Sequence, residues 1–293
     1  MPLTAVWWNS KSLVMKRLFL LLAATAAAGC TILEDRNICP SYLTVDMSGV
    51  DKGIKEWHMW LFNDSGELLH KDTIHRRDYS VPYVAGVPRE EKVRCFMWGN
   101  IRGATSLNED YSLGTFLLKE DGLPADSLYC CTDMIDTSGE ESYLKVLPCK
   151  EFATVDIYMD GWIGVDYQVR MTIQCASSGF FVDRRMCGGT TETDLEISDI
   201  GNYYTRFSGR ILRQYDTENL LLKLHVKELL ANGEEGELLY DMSIPIGDYL
   251  EENGYNMYEG GMEDISMELD FSYNRFLIRA EDWSAEYKIV EEM

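Results

Sequence analysis

The chain has 293 residues, a formal net charge of −22 and 46% hydrophobic residues. That length suits two domains of ordinary size, each able to bury a core. The charge repels phosphate backbones and argues against nucleic acid as a partner. The acids are spread along the chain without an acidic tail, the pattern of a solvated surface.

The first informative stretch runs from Met15 to Cys30. Lys16-Arg17 is followed by an apolar run from Leu18 to Ala28, then Gly29-Cys30. A basic start, a short apolar stretch and small residues at the cut form a secretory signal. A Cys directly after the cut makes it a lipoprotein signal, because the thiol can receive a diacylglycerol. The run is too short for a transmembrane helix, which needs about 20 residues. Met1 to Val14, with Trp7 and Trp8, are unlike the start of a signal, so Met15 is the expected true start. Cys30 is therefore the expected lipidation site. Removing residues 1–29 takes away Lys11, Lys16 and Arg17 and no acid, so the net charge moves from −22 to −25. Such a chain is not held to anionic lipid by charge; the acyl chains, at about 0.8 kcal/mol per buried methylene, have to hold it.

Beyond the signal, alternation dominates. Trp57 to Phe62 reads as a strand, Asn63-Asp64-Ser65-Gly66 as a tight turn, and Glu67 to His70 as the returning strand. Lys92 to Trp98 alternates as a half-buried strand does, and Tyr143 to Leu147 is a strand stopped by Pro148. Ala153 to Met159 and Tyr167 to Cys175 follow as strands, the second being the clearest in the chain. Leu220 to Leu230 has the apolar count of a helix or a strand. Asn232-Gly233 after it, and then Leu238-Leu239-Tyr240, favour a hairpin. Pro245 to Leu250 suggests one helical turn. Met267 to Phe271 and Tyr287 to Val290 close the chain as strands. The best helix candidates are Ser106 to Leu118 and Leu123 to Met134. Many short strands between Gly, Asn and Ser turns indicate an all-β chain of two tandem β-sandwich domains, with short helices in the connections. The domains are expected at 30–147 and 148–293. No low-complexity linker separates them, so they are expected to sit close together.

There are eight cysteines. Lipidation of Cys30 leaves an odd number, so at least one thiol stays unpaired. Cys175 and Cys187 are candidates to bridge two neighbouring strands; the adjacent Cys130-Cys131 are not expected to pair with each other. No CxxC, HExxH, P-loop, GxGxxG or GxSxG is present. His70 and His75 have no metal-ligand spacing. No catalytic residue, metal or cofactor is assigned, and an enzyme is not expected. Trp57, Trp60, Trp98, Trp162 and Trp283 would make a sugar platform if exposed, but their place inside alternating runs favours core packing.

Three places carry a resemblance to a known family. Glu34-Asp35-Arg36-Asn37-Ile38-Cys39-Pro40 followed by Leu43-Thr44-Val45-Asp46 is the first. The second is Met59 to Gly66 together with Cys95-Phe96-Met97-Trp98-Gly99-Asn100. The third is Ile244 to Leu250 with Tyr255-Asn256-Met257. In this order, and with the lipid signal, they resemble the FimB/Mfa-type minor fimbrial lipoproteins, the anchors of type V pili. The resemblance implies transthyretin-like sandwiches. It also implies an outer-membrane lipoprotein exposed on the cell surface, which ties fimbrial stalk subunits to the membrane and limits their assembly. Subunits of such pili join by adding a strand to a neighbour's sheet. An anchor that keeps its lipid keeps its own N-terminal segment, so the strand near Tyr42 to Met47 is expected to stay in the first domain. The alternatives are a surface lipoprotein that binds glycan, or a tip or minor shaft subunit of the same pilus.

Overall fold

The computed structural model describes residues 39–75, 79–160, 167–200, 204–255, 257, 260–270, 276–280 and 286–289. The signal segment and Cys30 lie outside these residues, as do Trp162 and Trp283. From Ser41 onward the described chain forms one compact unit. In chain order the strands begin with β1 Ser41–Asp46, β2 Glu56–Phe62, β3 Leu68–His75, β4 Tyr83–Val87 and β5 Val93–Gly99. They continue with β6 Thr105–Asn108, β7 Phe116–Lys119, β8 Tyr129–Ile135, β9 Glu141–Lys145 and β10 Cys149–Lys150. Next come β11 Phe152–Asp160, β12 Tyr167–Cys175, β13 Gly179–Phe181, β14 Met186–Cys187, β15 Thr191–Ile200 and β16 Tyr204–Leu212. The last are β17 Leu221–Leu229, β18 Glu235–Pro245, β19 Ile265–Asp270, β20 Phe276–Ala280 and β21 Glu286–Ile289. A short helix α1, Gly247–Glu252, is the expected helical turn.

The fold is all-β and built as sandwiches. In the first, a sheet of order β4-β1-β9 faces a sheet of order β10-β8-β5-β2-β3. Their inner faces supply Leu43 and Val45, Trp57, Met59 and Leu61, and Cys95 and Met97. In the second, one long sheet of order β18-β17-β12-β15-β16-β11-β19-β20-β21 turns back on itself. The corner is β15. Its first part, Thr191 to Leu195, pairs with β12, while Glu196 to Ile200 pairs with β16 through an irregular register at Ile197/Asp199. A bulge that bends and twists a strand is the usual way to turn such a corner. Val155 and Ile157 from β11, Ile173 from β12, Leu222 and Leu224 from β17, and Tyr249 and Leu250 of α1 share the enclosed core.

A third core lies between the sandwiches. The outer face of β2 and β5 presents Trp60, Phe62 and Trp98, and these pack against Leu117, Phe180, Val182 and Leu212. The cover is a small sheet of order β14-β13-β7-β6, built from strands of both halves of the chain. Trp98 Nε1 donates to Val182 O at 2.8 Å. Gly179 lets β13 approach β7, since a Cβ there would lie 1.9 Å from Leu117 O. Lys119 is buried and spends its ammonium donors on Glu120 O, Thr191 Oγ1 and Glu192 O. The close association expected from the missing linker thus takes the form of a shared sheet and a shared core. β10 still pairs with β8 of the first sandwich, whereas β11, two residues later, belongs to the second.

Most expected strands are present, and Trp57, Trp60 and Trp98 are fully buried core residues. The hairpin reading of 220–241 holds as β17 and β18, with Gly233 at positive φ in the turn. Two helix expectations fail. Residues 106–118 form β6, a turn and β7, with Leu107 directly opposite Leu117. Asp110 accepts from Ser112 N, Ser112 Oγ and Thr115 Oγ1, and these local side-chain bonds stabilise a turn in place of a helix. Residues 123–134 run into β8, which is flanked by β5 and β10, so the tertiary ladder overrides the helical apolar spacing.

Candidate functional site

β1 is the strand on which the expected assembly chemistry turns, and it is not an edge. It pairs antiparallel with β4 and parallel with β9, and so uses both of its backbone edges. Its sequence Ser41-Tyr42-Leu43-Thr44-Val45-Asp46 alternates strictly. Ser41, Leu43 and Val45 are buried, while Tyr42 points out. Leu43 and Val45 belong to the first core, and Tyr42 is exposed on the outer face. Bonds at the strand ends complete the fit: Tyr42 N donates to Glu140 O and Val146 N donates to Asp46 O, each at 2.9 Å.

The outer face of this sheet has its own polar lock. Tyr143 Oη donates to Asp46 Oδ2 at 2.5 Å, and Ser48 N donates to Asp46 Oδ1 at 2.9 Å. These bonds, the Tyr143 hydroxyl foremost, lower the Asp46 carboxyl to about 2. Tyr42 and Tyr143 are 55% and 57% exposed on this face, with Val84 beside them. Tyr42 lies opposite Glu141, and Thr44 lies opposite Tyr143, so the two tyrosines are diagonal neighbours across β1 and β9.

The second sandwich repeats the arrangement. β11 pairs antiparallel with β16 and parallel with β19, as β1 does with β4 and β9. Its start is tied down by a buried ionic cluster. Glu151 and Arg213 are both fully buried, and Arg213 Nε donates to Glu151 Oε2 at 2.8 Å. Arg213 also reaches Met257 O at 2.7 Å, Lys150 O at 2.9 Å and Gly260 O at 2.5 Å. Arg184 Nη2 donates to the other Glu151 oxygen at 2.6 Å. Two thiols complete the cluster. Cys130 Sγ donates to Glu151 Oε1 at 3.0 Å, and Cys149 Sγ donates to Gly260 O at 2.8 Å. Nothing in the spacing of these residues announced the cluster. β-sheet register brings Cys149 opposite Cys130, and residues so far apart in the chain leave no local motif. Lys150 pairs with Asp264 at 2.6 Å.

The cysteines expected to bridge are placed as follows. Cys175 ends β12, whose neighbours are β15 and β17, while Cys187 lies in β14, whose partner is β13. The strands are not ladder neighbours, and both cysteines carry free thiols. Burial pushes the Cys175 thiol up to about 12. Cys130 and Cys131 face opposite cores. His75 pairs with Glu56, and His225 with Asp241. An open cleft of about 880 Å³ is lined by Phe96, Thr132, Met186 and Tyr215, with Arg184 and Arg185. Arg185 is paired with Asp183, and Arg184 shares Glu151 with Arg213. Among the described residues no helix is long and apolar enough to cross a membrane.

No protein-family model matches the chain, and no curated protein matches it. Solved structures do. The fimbrial anchor protein Mfa2 from Porphyromonas gingivalis superposes with a TM-score of 0.62 at 12% identity, over 84% of this chain and 98% of that one. A candidate adhesin from Bacteroides thetaiotaomicron gives 0.60 at 14% identity, over 86% and 99%. A candidate polysaccharide-binding protein from the same organism gives 0.60 at 13% identity, over 86% and 99%. The chain has the fold of these proteins along nearly their whole length.

Proposed function

We propose that this chain is a cell-surface fimbrial subunit of the anchor kind, held in the outer membrane by lipid on Cys30 and joined to stalk subunits by strand addition. The observation that carries the reading is β1. Its inward side chains and both backbone edges are matched by its own chain. A sandwich completed from within offers no vacant strand site there, which suits the end of a subunit chain better than its middle. The shared fold with a fimbrial anchor protein supports the reading. So does the Met15 to Cys30 signal. The proposed division falls between Leu147 and Pro148, just before β10, with a sandwich on either side.

Anchoring is tested in the producing cell. Replacing Cys30→Ala should move the protein from the membrane fraction to the medium, and deleting the gene should shed or lengthen the fimbriae. Unchanged attachment and length in the deletion strain would remove the anchor role. Co-purification from detergent-solubilised membranes should retain a stalk subunit; recovery of the chain alone would count against the partner.

One observation favours a second reading, glycan binding. Tyr42 and Tyr143 form a small exposed aromatic surface on the outer sheet. Titration calorimetry with cell-surface polysaccharide separates the readings. A binding heat lost in Tyr143→Ala would support the glycan, and no heat would dismiss it.

A further inference from the structure

The meeting of β8 and β10 joins the first sandwich to the strand that leads into the second, and it carries two cysteines face to face. Cys130 and Cys149 are directly opposed in an antiparallel pair. Residues opposed in this way have Cα atoms about 4.5–5.5 Å apart. A disulfide accepts about 4.4–6.8 Å. The two sulfurs and a Glu151 oxygen lie within 4.8 Å of one another.

Their surroundings are unequal in a useful way. Cys149 is half-buried, with Arg184 Nη2 at 3.8 Å and Arg213 Nη2 at 3.9 Å from its sulfur. Cys130 is buried, and its thiol hydrogen is directed to Glu151 Oε1 at 3.0 Å. A metal cation is a poor occupant, because two guanidiniums already bring positive charge to Glu151.

We propose that Cys130 and Cys149 form a thiol–disulfide pair that closes into a cross-strand bond on contact with a disulfide oxidant such as glutathione disulfide. Cys149 attacks first. The guanidiniums of Arg184 and Arg213 beside its sulfur favour the thiolate, the attacking form. Its sulfur forms a bond to one sulfur of the oxidant, and the S–S bond breaks to release one glutathione thiolate. Cys130 then gives up its proton, its sulfur attacks that of Cys149, and the second glutathione leaves as a thiolate that takes up that proton. The two protein thiols lose two electrons, the glutathione disulfide gains them, and the two protons end on the two glutathiones. The closed bond encircles residues 130–149, which include all of β9, and so fastens the parallel partner of β1 to the junction.

The experiment uses the full chain from Cys30 onward, equilibrated with excess glutathione disulfide, alkylated, digested and mapped by mass spectrometry. The expected result is one linked peptide pair joining Cys130 to Cys149, absent from Cys149→Ser and from Cys130→Ser. The oxidised chain should melt about 6 °C above the reduced one, a gain that Cys149→Ser does not show. The wild-type map stands without the variants if either fails to fold by circular dichroism. Alkylation of both thiols after oxidation overturns the proposal. So does a bond from either cysteine to any other partner, or a glutathione adduct that persists on Cys149. Retention of one equivalent of zinc that protects both thiols would also overturn it.

Discussion

β1 and β11 hold the same position in their sandwiches, central between one antiparallel and one parallel neighbour. They are secured by different means. β11 is continuous with β10 at its start, and that start is pinned by the buried Glu151–Arg213 pair. The polar fastening of β1 is the exposed Tyr143–Asp46 bond. Identical pairing geometry is therefore fastened by a buried ion pair in one strand and by an exposed hydrogen bond in the other.

The largest effect should come from placing a carboxylate in the middle of each strand. Val45 and Val155 are both fully buried. Val155→Asp should cost on the order of 5 kcal/mol and unfold the second sandwich, because an unpaired charge cannot stay in that core. Val45→Asp should expel β1 while the second sandwich stays protected. Hydrogen exchange followed by mass spectrometry reads both, and equal loss of protection throughout the two variants would erase the distinction.

Next in size is the pin itself. Arg213→Met leaves Glu151 in the interior without its fully buried partner and should destabilise by about 3 kcal/mol in urea denaturation. A loss below about 1 kcal/mol would mean that Arg184 alone satisfies the carboxylate.

The smallest effect belongs to the exposed lock on β1, and it depends on pH. The Asp46 carboxyl is lowered from 3.8 to about 2 by Tyr143 and Ser48, so its ionised form is favoured in the folded state. Its contribution is complete above the ordinary carboxylate value and fades as pH falls through 3.8 towards about 2. Asp46→Asn should therefore melt slightly below the wild type at pH 6, and the two should converge near pH 2. A constant gap across that range would show that Asp46 acts by packing alone.

Particular residues show how far the sequence carried. Alternation at Trp57 to Phe62 and at Tyr167 to Cys175 was enough to locate strands, and Asn232-Gly233 to locate a hairpin. It also put the tryptophans of β2 and β5 inside. Residues 106–118 and 123–134 misled because their apolar spacing fits a helix as well as short strands, and the deciding ladders come from β13 and β5. The strand near Tyr42 was legible as a strand. Its two partners, one of them about a hundred residues away at β9, were not.

The sequence alone determined an acidic, strand-rich chain and the faces those strands bury, because charge, period-two alternation and turn chemistry are local properties. The tertiary structure decided that β1 is central, that a sheet is shared between the sandwiches, and that Cys130 meets Cys149 over Glu151. Which strands become neighbours depends on how distant side-chain faces fit together in a common core. That competition is settled only when the whole chain is packed.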